Sequence, residues 1–334
     1  MRTFFDSRQL AHAPAQELHN GAFVPYSETP SRAEALYAGM SGVEKPADHG
    51  EAPILAVHNA GYVDFLKTAP ARWREAGRPG DVMGYIWPVV GRRPLDLTRI
   101  DALAGRYSMD ISTPLTADSW TSAYWSTQSA LSALDAVLAG DNIAVGLCRP
   151  PGHHAGPDYL GGYCFINQAA VAAQAARDAG VERVAILDID YHHGNGTQDI
   201  FWERGDVFFA SIHADPATDY PFYWGHADEA GEGAGAGATL NLPLPQGTGL
   251  AAFRNAQAKA LEAIAVFAPG LLIVSFGSDT YAGDPISHFK LKTADYAVLG
   301  RDIAAAGLPT VVLTEGGYAV DMLGANLASF LSAF

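Results

Sequence analysis

Five short apolar runs along the chain predict buried strands. They occupy Ile143–Leu147, Val184–Leu187, Val207–Ile212, Leu271–Phe276 and Thr310–Leu313. Unbroken apolar runs of this length are typical of strands that are covered on both faces. Alanine-rich, helix-like segments precede or separate these runs, at Ser119–Ala139, Asn167–Ala179, Leu250–Phe267 and Thr293–Ala306. The alternation predicts an α/β fold, with a single domain over residues 1–334 and an open, doubly wound, mostly parallel sheet flanked by helices.

Polar residues cluster directly after four of the five predicted strands. In chain order, the clusters are Arg149–His154, Asp188–His193, Gly277–Asp279 and Glu315–Tyr318. The carboxyl ends of parallel strands meet at one edge of a sheet, and open α/β sheets bind their ligands there. Because one such cluster arises easily by chance and four do not, the pattern predicts a single site at that edge.

Three residues of these clusters form a candidate metal site. Asp190 and His192 are two residues apart, so an extended chain would turn both side chains to the same face. Asp279 is the best third ligand. A catalytic zinc site takes three protein ligands and leaves a position open for water, which the metal activates as a nucleophile. An isolated Asp after a strand is more often a turn former, but the three residues together favour a metal.

Acid–base groups accompany this candidate metal site. His153 and His154 follow a rigid Pro-Pro-Gly segment, and one of the two imidazoles is a candidate proton shuttle. Its orienting partner is either Asp188 or Asn195. Tyr318 follows two glycines and can donate a hydrogen bond to a carbonyl oxygen that becomes an oxyanion. Together with a metal and a water, these groups suit the hydrolysis of an amide or an ester.

The amino-acid composition of the chain narrows the classes of molecule that it is expected to bind. The 334 residues include 21 Lys and Arg against 36 Asp and Glu, which gives a formal net charge of −15. This balance disfavours nucleic acid and anionic membranes as partners and favours small cationic substrates, although acidity also serves solubility alone. Two cysteines, Cys148 and Cys164, indicate a reducing compartment. The chain lacks an apolar run of membrane-spanning length and a signal-peptide core, so we expect a cytoplasmic protein.

A region at about 69–118 interrupts the strand–helix pattern. It contains Arg78-Pro79-Gly80, Trp87-Pro88 and Arg92-Arg93-Pro94. Long loops in compact domains usually serve function or make contacts. We therefore expect a long loop insertion near the mouth of the site.

Several motifs resemble those of the zinc-dependent deacetylases of the arginase/deacetylase superfamily. They are Arg149-Pro-Pro-Gly-His-His-Ala155, Gly161-Gly-Tyr-Cys-Phe-Ile-Asn167, Asp188-Ile-Asp-Tyr-His-His-Gly-Asn-Gly-Thr-Gln198, Gly277-Ser-Asp279 and Glu315-Gly-Gly-Tyr318. The insertion and Asp284-Pro-Ile-Ser287 resemble most of all the bacterial acetylpolyamine amidohydrolases. The resemblance extends over nearly the whole chain.

The resemblance implies a role for each catalytic residue. Asp190, His192 and Asp279 would bind zinc. His154 would act as general base and then as general acid, with Asn195 beside it where some histone-directed relatives carry Asp. His153, paired with Asp188, would assist electrostatically. Tyr318 would polarise the acetyl carbonyl.

The resemblance also implies how substrate and a structural ion are held. Tyr163, Tyr220 and Gly162 would line a narrow tunnel, Arg32 would lie beneath it at an acetate exit channel, and Asp101 would align with a rim carboxylate. Where such relatives carry a second carboxylate, this chain has Ser112. The implied potassium ligands are Asp188, the hydroxyl of Ser211 and the backbone carbonyls of Asp190, His192 and Ile212.

The implied activity is zinc-dependent removal of acetyl groups from small cationic amines such as N-acetylputrescine or N-acetylcadaverine. Two alternatives stay open: a deacetylase that acts on lysines of proteins, and a non-catalytic protein that binds acetylated amines. The insertion would form a homodimer contact and narrow the tunnel mouth, which would keep folded proteins away from the metal.

Overall fold

One parallel sheet of eight strands organises residues 1–88 and 96–334, the part of the chain that the computed structural model describes. With strands numbered in chain order, the sheet runs β4 (Val43–Glu44), β1 (Arg2–Phe4), β5 (Ile143–Gly146), β10 (Thr310–Thr314), β9 (Leu271–Phe276), β6 (Val184–Asp188), β7 (Val207–Ala214) and β8 (Thr239–Leu244). Every neighbouring pair in it is parallel. The predicted α/β class with an open parallel sheet is confirmed. β8 is an edge strand that contains Pro243 and is followed by Pro245.

Helices cover both faces of the sheet. They are α1 (Pro30–Ala38), α2 (Ala52–Leu55), α3 (Ala60–Glu75), α4 (Ile100–Arg106), α5 (Ser119–Leu138), α6 (Gln168–Asp178), α7 (Asn195–Phe201), α8 (Leu250–Phe267), α9 (Thr293–Ala304) and α10 (Val320–Leu331). In the described ranges, no helix has both the length and the apolar character that crossing a membrane requires.

Side chains of β6 alternate between two cores. Ala185 and Leu187 belong to the core packed under α1, α8, α9 and α10, whereas Val184 and Ile186 belong to the core packed under α5 and α6. Fully burying a side chain of the size of Val, Ile or Leu contributes about 1.5–3 kcal/mol. Because both faces are buried, the strand sequence is apolar from Val184 to Leu187, and this made the strand recognisable. The observed bounds of the predicted strands and helices differ from the expected ones by at most two residues.

The insertion at about 69–118 is more regular than predicted. Its first residues are the end of α3, and α4 lies inside it. Trp73, Val82 and Leu115 pack with these helices and with residues of α5 and α6 in a third core. The predicted loop insertion is therefore partly helical. Arg92-Arg93-Pro94 lies outside the described residues, and the homodimer through the insertion stays a prediction.

A two-stranded hairpin near the N-terminus is absent from the predicted elements. Its antiparallel strands are β2 (Gln16–His19) and β3 (Ala22–Pro25). The two residues between them, Asn20 and Gly21, have φ of 49° and 82°. Asn-Gly supports a tight turn in which both central residues have positive φ, so the sequence did contain a signal for this hairpin.

Candidate active site

The ends of neighbouring strands bring the polar clusters together. Asp188, the last residue of β6, is paired in register with Ser275 of β9, and Phe276 of β9 is paired with Thr314 of β10. The residues that follow these positions therefore emerge side by side at one edge of the sheet. This arrangement agrees with the expectation of a single site built from several strand ends.

Asp190, His192 and Asp279 form a compact cluster. The Nδ1 atom of His192 lies 3.3 Å from Oδ1 of Asp190 and 3.1 Å from Oδ2 of Asp279. One ligand atom from each residue lies within 4.8 Å of the other two. β6 ends at Asp188, so the loop beyond the strand, rather than alternation along it, brings Asp190 and His192 together.

The charges of this cluster favour a cation. Burial, and then the charge of Asp190, raise the pKa of Asp279 to about 7. Burial alone would lower the pKa of His192, but Asp190 and Asp279 outweigh it and raise this pKa to about 10. Two carboxylates in a buried site stabilise positive charge between them. An imidazole with two carboxylate oxygens is also a donor set that suits zinc.

Two glycines allow this cluster to form. A Cβ at Gly277 would overlap the carboxylate of Asp190, and a Cβ at Gly316 would lie 2.5 Å from Oδ2 of Asp279. The backbone N–H of Gly316 instead donates to Oδ2 of Asp190 at 2.8 Å. The glycines therefore let the backbone approach the carboxylates closely enough to orient them.

The adjacent His153 and His154 have different partners. Nδ1 of His153 lies 3.0 Å from Oδ2 of Asp188, and Nδ1 of His154 lies 2.6 Å from Oδ1 of Asn195. Of the two candidate orienting partners, Asn195 therefore serves His154 and Asp188 serves His153. The two rings are close, with centroids 4.0 Å apart.

The two imidazoles also differ in charge. Burial lowers the pKa of His153, but Asp188 and Asp190 outweigh it and raise this pKa to about 10. Burial, followed by the neighbouring His153 and His192, lowers the pKa of His154 well below its usual value. His153 is thus the cationic member of the pair and His154 is neutral, which is the form a general base requires.

Glu315 fixes the loop that carries the histidine pair. Its Oε2 accepts the backbone N–H groups of Gly152 at 2.7 Å and His153 at 3.2 Å, and its Oε1 accepts the hydroxyl of Ser275 at 3.0 Å. No role was predicted for Glu315 from the sequence. Its position directly after a strand, like that of the metal-cluster residues, was the available signal.

Tyr318 is held by contacts on two sides. Its backbone N–H donates to Oδ2 of Asp284 at 2.7 Å, and the guanidinium carbon of Arg32 lies 4.8 Å from the centre of its ring. Arg32 is buried and forms an ion pair with Glu28 at 2.6 Å. The structure thus places Arg32 directly against Tyr318. The acetate exit channel stays a prediction.

The residues of the implied potassium site lie around the end of β6. Asp188 and Ser211 are paired in register between β6 and β7, and the hydroxyl of Ser211 lies 2.9 Å from Nδ1 of His213. The potassium ion itself stays a prediction, as does its ligand set of Asp188, Ser211 and the carbonyls of Asp190, His192 and Ile212.

A cavity of about 350 Å³ opens onto the cluster. Its walls include the expected Gly162, Tyr163 and Tyr220 together with His154, His192 and Tyr318. The rings of Tyr163 and Tyr318 meet edge to face, with centroids 5.7 Å apart. Ser112 is the contribution of the described part of the insertion to this wall. Glu17, Asp219 and Ile286 also line the cavity, and none of the three was predicted as a site residue.

Asp101 requires a correction. It lies on α4 and is not among the described residues that line the cavity. Its Oδ2 is 2.8 Å from Arg78 and 2.7 Å from Arg99, and these two guanidinium groups hold its pKa at about 2. With both cations already bound, the carboxylate stabilises the insertion. The predicted substrate-binding role of Asp101 is not supported.

Replacing Gly162 with Ala is expected to impair the site. The φ of Gly162 is 53°, and a Cβ there would overlap the ring of His154. Overpacking of this kind costs about 1–3 kcal/mol. We expect a lower Tm and a displaced His154, with reduced turnover. Gly307→Ala is the control, because Gly307 also has positive φ (66°) but has no atom within 4 Å of an added Cβ. Equal turnover in the two variants would contradict the steric argument.

Comparisons with known proteins agree with this geometry. Residues 27–334 match the histone deacetylase domain family. The acetylpolyamine amidohydrolase of Mycoplana ramosa is 47% identical over 336 residues, which cover 99% of this chain and 98% of that protein. Acetylpolyamine amidohydrolase 1 of Pseudomonas aeruginosa is 46% identical, with coverage of 100% and 98%.

The fold of this chain also agrees with that of a solved structure. The crystal structure of acetylpolyamine aminohydrolase from Burkholderia pseudomallei, from an iodide soak, matches with a TM-score of 0.96 and 43% identity and covers 100% of this chain and 98% of that one. The resemblance that the motifs indicated is confirmed over the full length. The chain belongs to the histone deacetylase family and is an amidohydrolase of that family.

Proposed function

We propose that this enzyme is a zinc-dependent amidohydrolase that removes the acetyl group from small cationic acetylated amines such as N-acetylputrescine and N-acetylcadaverine. The observation that carries the proposal is the cluster of His192 with the buried Asp190 and Asp279, which lies beside a neutral His154 in the wall of one cavity. The names of the full-length relatives, acetylpolyamine amidohydrolases, support the same substrate class.

The donor set fits a zinc ion. Asp190 and Asp279 contribute two negative charges, which balance a divalent cation, and His192 contributes a nitrogen ligand. When bound, zinc would supply Lewis-acid chemistry that polarises the acetyl carbonyl and makes a water more acidic. The remaining chemistry belongs to the side chains around the cluster.

His154 acts first as a base. The oxygen of Asn195 accepts a hydrogen bond from Nδ1 of His154, so Nε2 is left without a proton and can take one from the attacking water. After the water oxygen has added to the carbonyl carbon, the same Nε2 returns the proton to the leaving nitrogen, and the C–N bond breaks to give acetate and the amine. A neutral amide stabilises the protonated imidazole less than a carboxylate does, so His154 is a weak base that returns the proton readily.

His153 and Tyr318 stabilise charge. His153, kept cationic by Asp188, places a positive charge beside the carbon under attack. Burial raises the pKa of Tyr318 well above its ordinary value. The phenol therefore keeps its proton and can donate a hydrogen bond to the carbonyl oxygen as that oxygen becomes negative.

A panel of acetylated amines tests the proposed function. We expect the zinc-loaded enzyme to release acetate from N-acetylputrescine and N-acetylcadaverine with higher kcat/KM than from an acetyl-lysine peptide or an acetylated folded protein. Acetate release measured by an enzyme-coupled assay supplies the rates. Faster turnover of acetylated protein would favour a protein lysine deacetylase, and binding of N-acetylputrescine without acetate release would favour a binding protein.

A further inference from the structure

The side-chain amide of Asn195 binds His154, and its orientation decides which ring nitrogen of His154 carries the proton. An amide has an oxygen that accepts and an NH2 group that donates, and the two ends are alike in size and shape. With the oxygen toward His154, as in this structure, Nδ1 donates and Nε2 is free to act as a base. With the NH2 group there instead, the proton would be on Nε2. The neighbours of Asn195 therefore control the general base.

Tyr159 and Asp199 form a hydrogen-bonded chain behind Asn195. The NH2 group of Asn195 donates to the hydroxyl oxygen of Tyr159 at 3.2 Å. The hydroxyl of Tyr159 in turn donates to Oδ2 of Asp199 at 2.6 Å. Asn195 and Asp199 are one turn apart on α7, so both can reach the same hydroxyl. Neither Tyr159 nor Asp199 is among the described residues that line the cavity.

Asp199 gives this chain of hydrogen bonds its direction. Its other oxygen, Oδ1, accepts the indole N–H of Trp224 at 3.1 Å. Burial raises the pKa of Asp199 to about 6, so at about pH 8 the carboxylate is ionised and only accepts hydrogen bonds. The single hydroxyl proton of Tyr159 therefore points to Asp199. The oxygen of Tyr159 is left as an acceptor, which requires the NH2 group of Asn195 to face it.

The contact with Tyr159 is the strongest one that the NH2 group of Asn195 makes. The nitrogen also lies 3.2 Å from the sulfur of Met109, which is a weak acceptor, and 3.5 Å from the backbone oxygen of His154. Tyr159 is held in place by the loop that carries His154. The backbone N–H of Gly156 donates to the carbonyl of Tyr159 at 3.0 Å, and a Cβ at Gly156 would overlap the tyrosine ring.

We propose that Asp199 and Tyr159 are positioning residues for the general base. Through the amide of Asn195, they keep the proton of the imidazole on Nδ1 and leave Nε2 free. An ionised carboxylate at position 195 would accept with either oxygen, whereas an amide accepts with only one. Asp199 thus supplies, through Tyr159, the orientation that the amide does not have by itself. This inference rests on the proposed function.

The Asp199→Asn variant tests the inference, because Trp224 fixes how the new amide is oriented. The indole N–H can only donate, so the new amide turns its oxygen to Trp224 and its NH2 group to Tyr159. The hydroxyl proton of Tyr159 then points to Asn195, which turns its own oxygen to accept it. We expect kcat for N-acetylputrescine to fall about 10- to 100-fold, the range typical of outer residues that orient a metal site. KM should stay within a factor of about two, since the cavity wall is unchanged.

Nitrogen-15 NMR of histidine-labelled protein shows the tautomer directly. Ring nitrogens with and without a proton differ widely in chemical shift, and the spectrum of a His154→Ala protein assigns the signals of His154. We expect the proton on Nδ1 in the parent protein and on Nε2 in Asp199→Asn. This measurement needs neither substrate nor turnover, so it can be made on the zinc-loaded and on the metal-free protein.

Three further variants make the test specific. Trp224→Phe, added to Asp199→Asn, lets the new amide turn its oxygen back to Tyr159 and should restore most of the lost kcat. Tyr159→Phe breaks the chain of hydrogen bonds, so Asp199→Asn should have no further effect on kcat in that background. Asp48→Asn is the control: Asp48 also accepts a tyrosine hydroxyl, that of Tyr124, but is not among the described residues that line the cavity. It should leave kcat unchanged.

The outcomes separate this inference from the proposed function. An unchanged kcat in Asp199→Asn, or a loss of kcat with the proton still on Nδ1, would overturn the inference and leave the proposed function intact. A loss that Trp224→Phe does not relieve would do the same. If Asp199→Asn does not fold, Tyr159→Phe decides, because the full parental kcat in that variant also overturns the inference. If the zinc-loaded parent releases no acetate while the proton moves as expected, the proposed function fails and the control of the tautomer by Asp199 stands.

Discussion

Replacing Tyr318 with Phe is expected to lower kcat for N-acetylputrescine by about 10²- to 10³-fold, the usual effect of losing one oxyanion donor. The ring should stay in place, because Arg32 packs on it and Asp284 holds its backbone. Only the hydroxyl is lost, and its hydrogen bond matters most when the carbonyl oxygen is negative. We therefore expect kcat and kcat/KM to fall together, with little change in KM.

Steady-state kinetics, zinc content and thermal unfolding together check this result. Tyr220→Phe is the matched control, because Tyr220 lines the same cavity and its hydroxyl binds Asp110. The kcat of Tyr220→Phe should fall by less than about tenfold, because the lost hydroxyl of Tyr220 has no oxyanion to stabilise. A Tyr318→Phe enzyme that keeps the full rate, with zinc bound, would remove Tyr318 from the mechanism.

Replacing Asp279 with Asn is expected to abolish tight zinc binding. The substitution removes one of two charged ligands but keeps an oxygen that can accept the backbone N–H of Tyr191, which binds Oδ1 of Asp279 at 2.9 Å. A ligand that binds only the folded state stabilises it by about 2.7 kcal/mol at 100 times its Kd. Added zinc should therefore raise the Tm of the parent protein and leave the Tm of the variant nearly unchanged.

Without metal, the order of the Tm values of the parent protein and of Asp279→Asn should be reversed. Asp190 and Asp279 repel each other in a buried site, and Asn at position 279 relieves that repulsion. The metal-free variant should thus unfold at the same temperature as the metal-free parent or at a higher one. Calorimetry with zinc alone measures both effects, and Asp135→Asn, at an exposed position on α5, is the control. A zinc-dependent rise in Tm in Asp279→Asn equal to that of the parent would exclude Asp279 as a ligand.

The sheet and the chemical centre could be predicted from the sequence for the same physical reason. Strands covered on both faces need mostly apolar side chains, so the polar residues of Asp188–His193 were expected at the strand end, where Asp188 closes β6 and the others follow it. Parallel strands then bring such ends to one edge. Asp190, His192 and Asp279 were therefore recognisable as a group, although their approach depends on loop geometry and on Gly277 and Gly316.

The cavity wall was harder to predict, because it is assembled from segments without a shared pattern. Glu17 lies in the cavity wall because the hairpin that turns at Asn20-Gly21 places it there. Asp101 was misassigned because its sequence position says nothing of Arg78, which lies 23 residues earlier and binds its carboxylate. Such pairings depend on tertiary contacts that neither periodicity nor spacing records.

The edge strand β8 has a consequence for solubility. An exposed strand edge offers unpaired N–H and C=O groups to other chains and so promotes aggregation. Pro243 within β8 has no N–H to offer, and Pro245 follows directly after the strand. Prolines at an edge interrupt the ladder that an incoming strand would need. This side of the sheet therefore resists growth into larger β-assemblies.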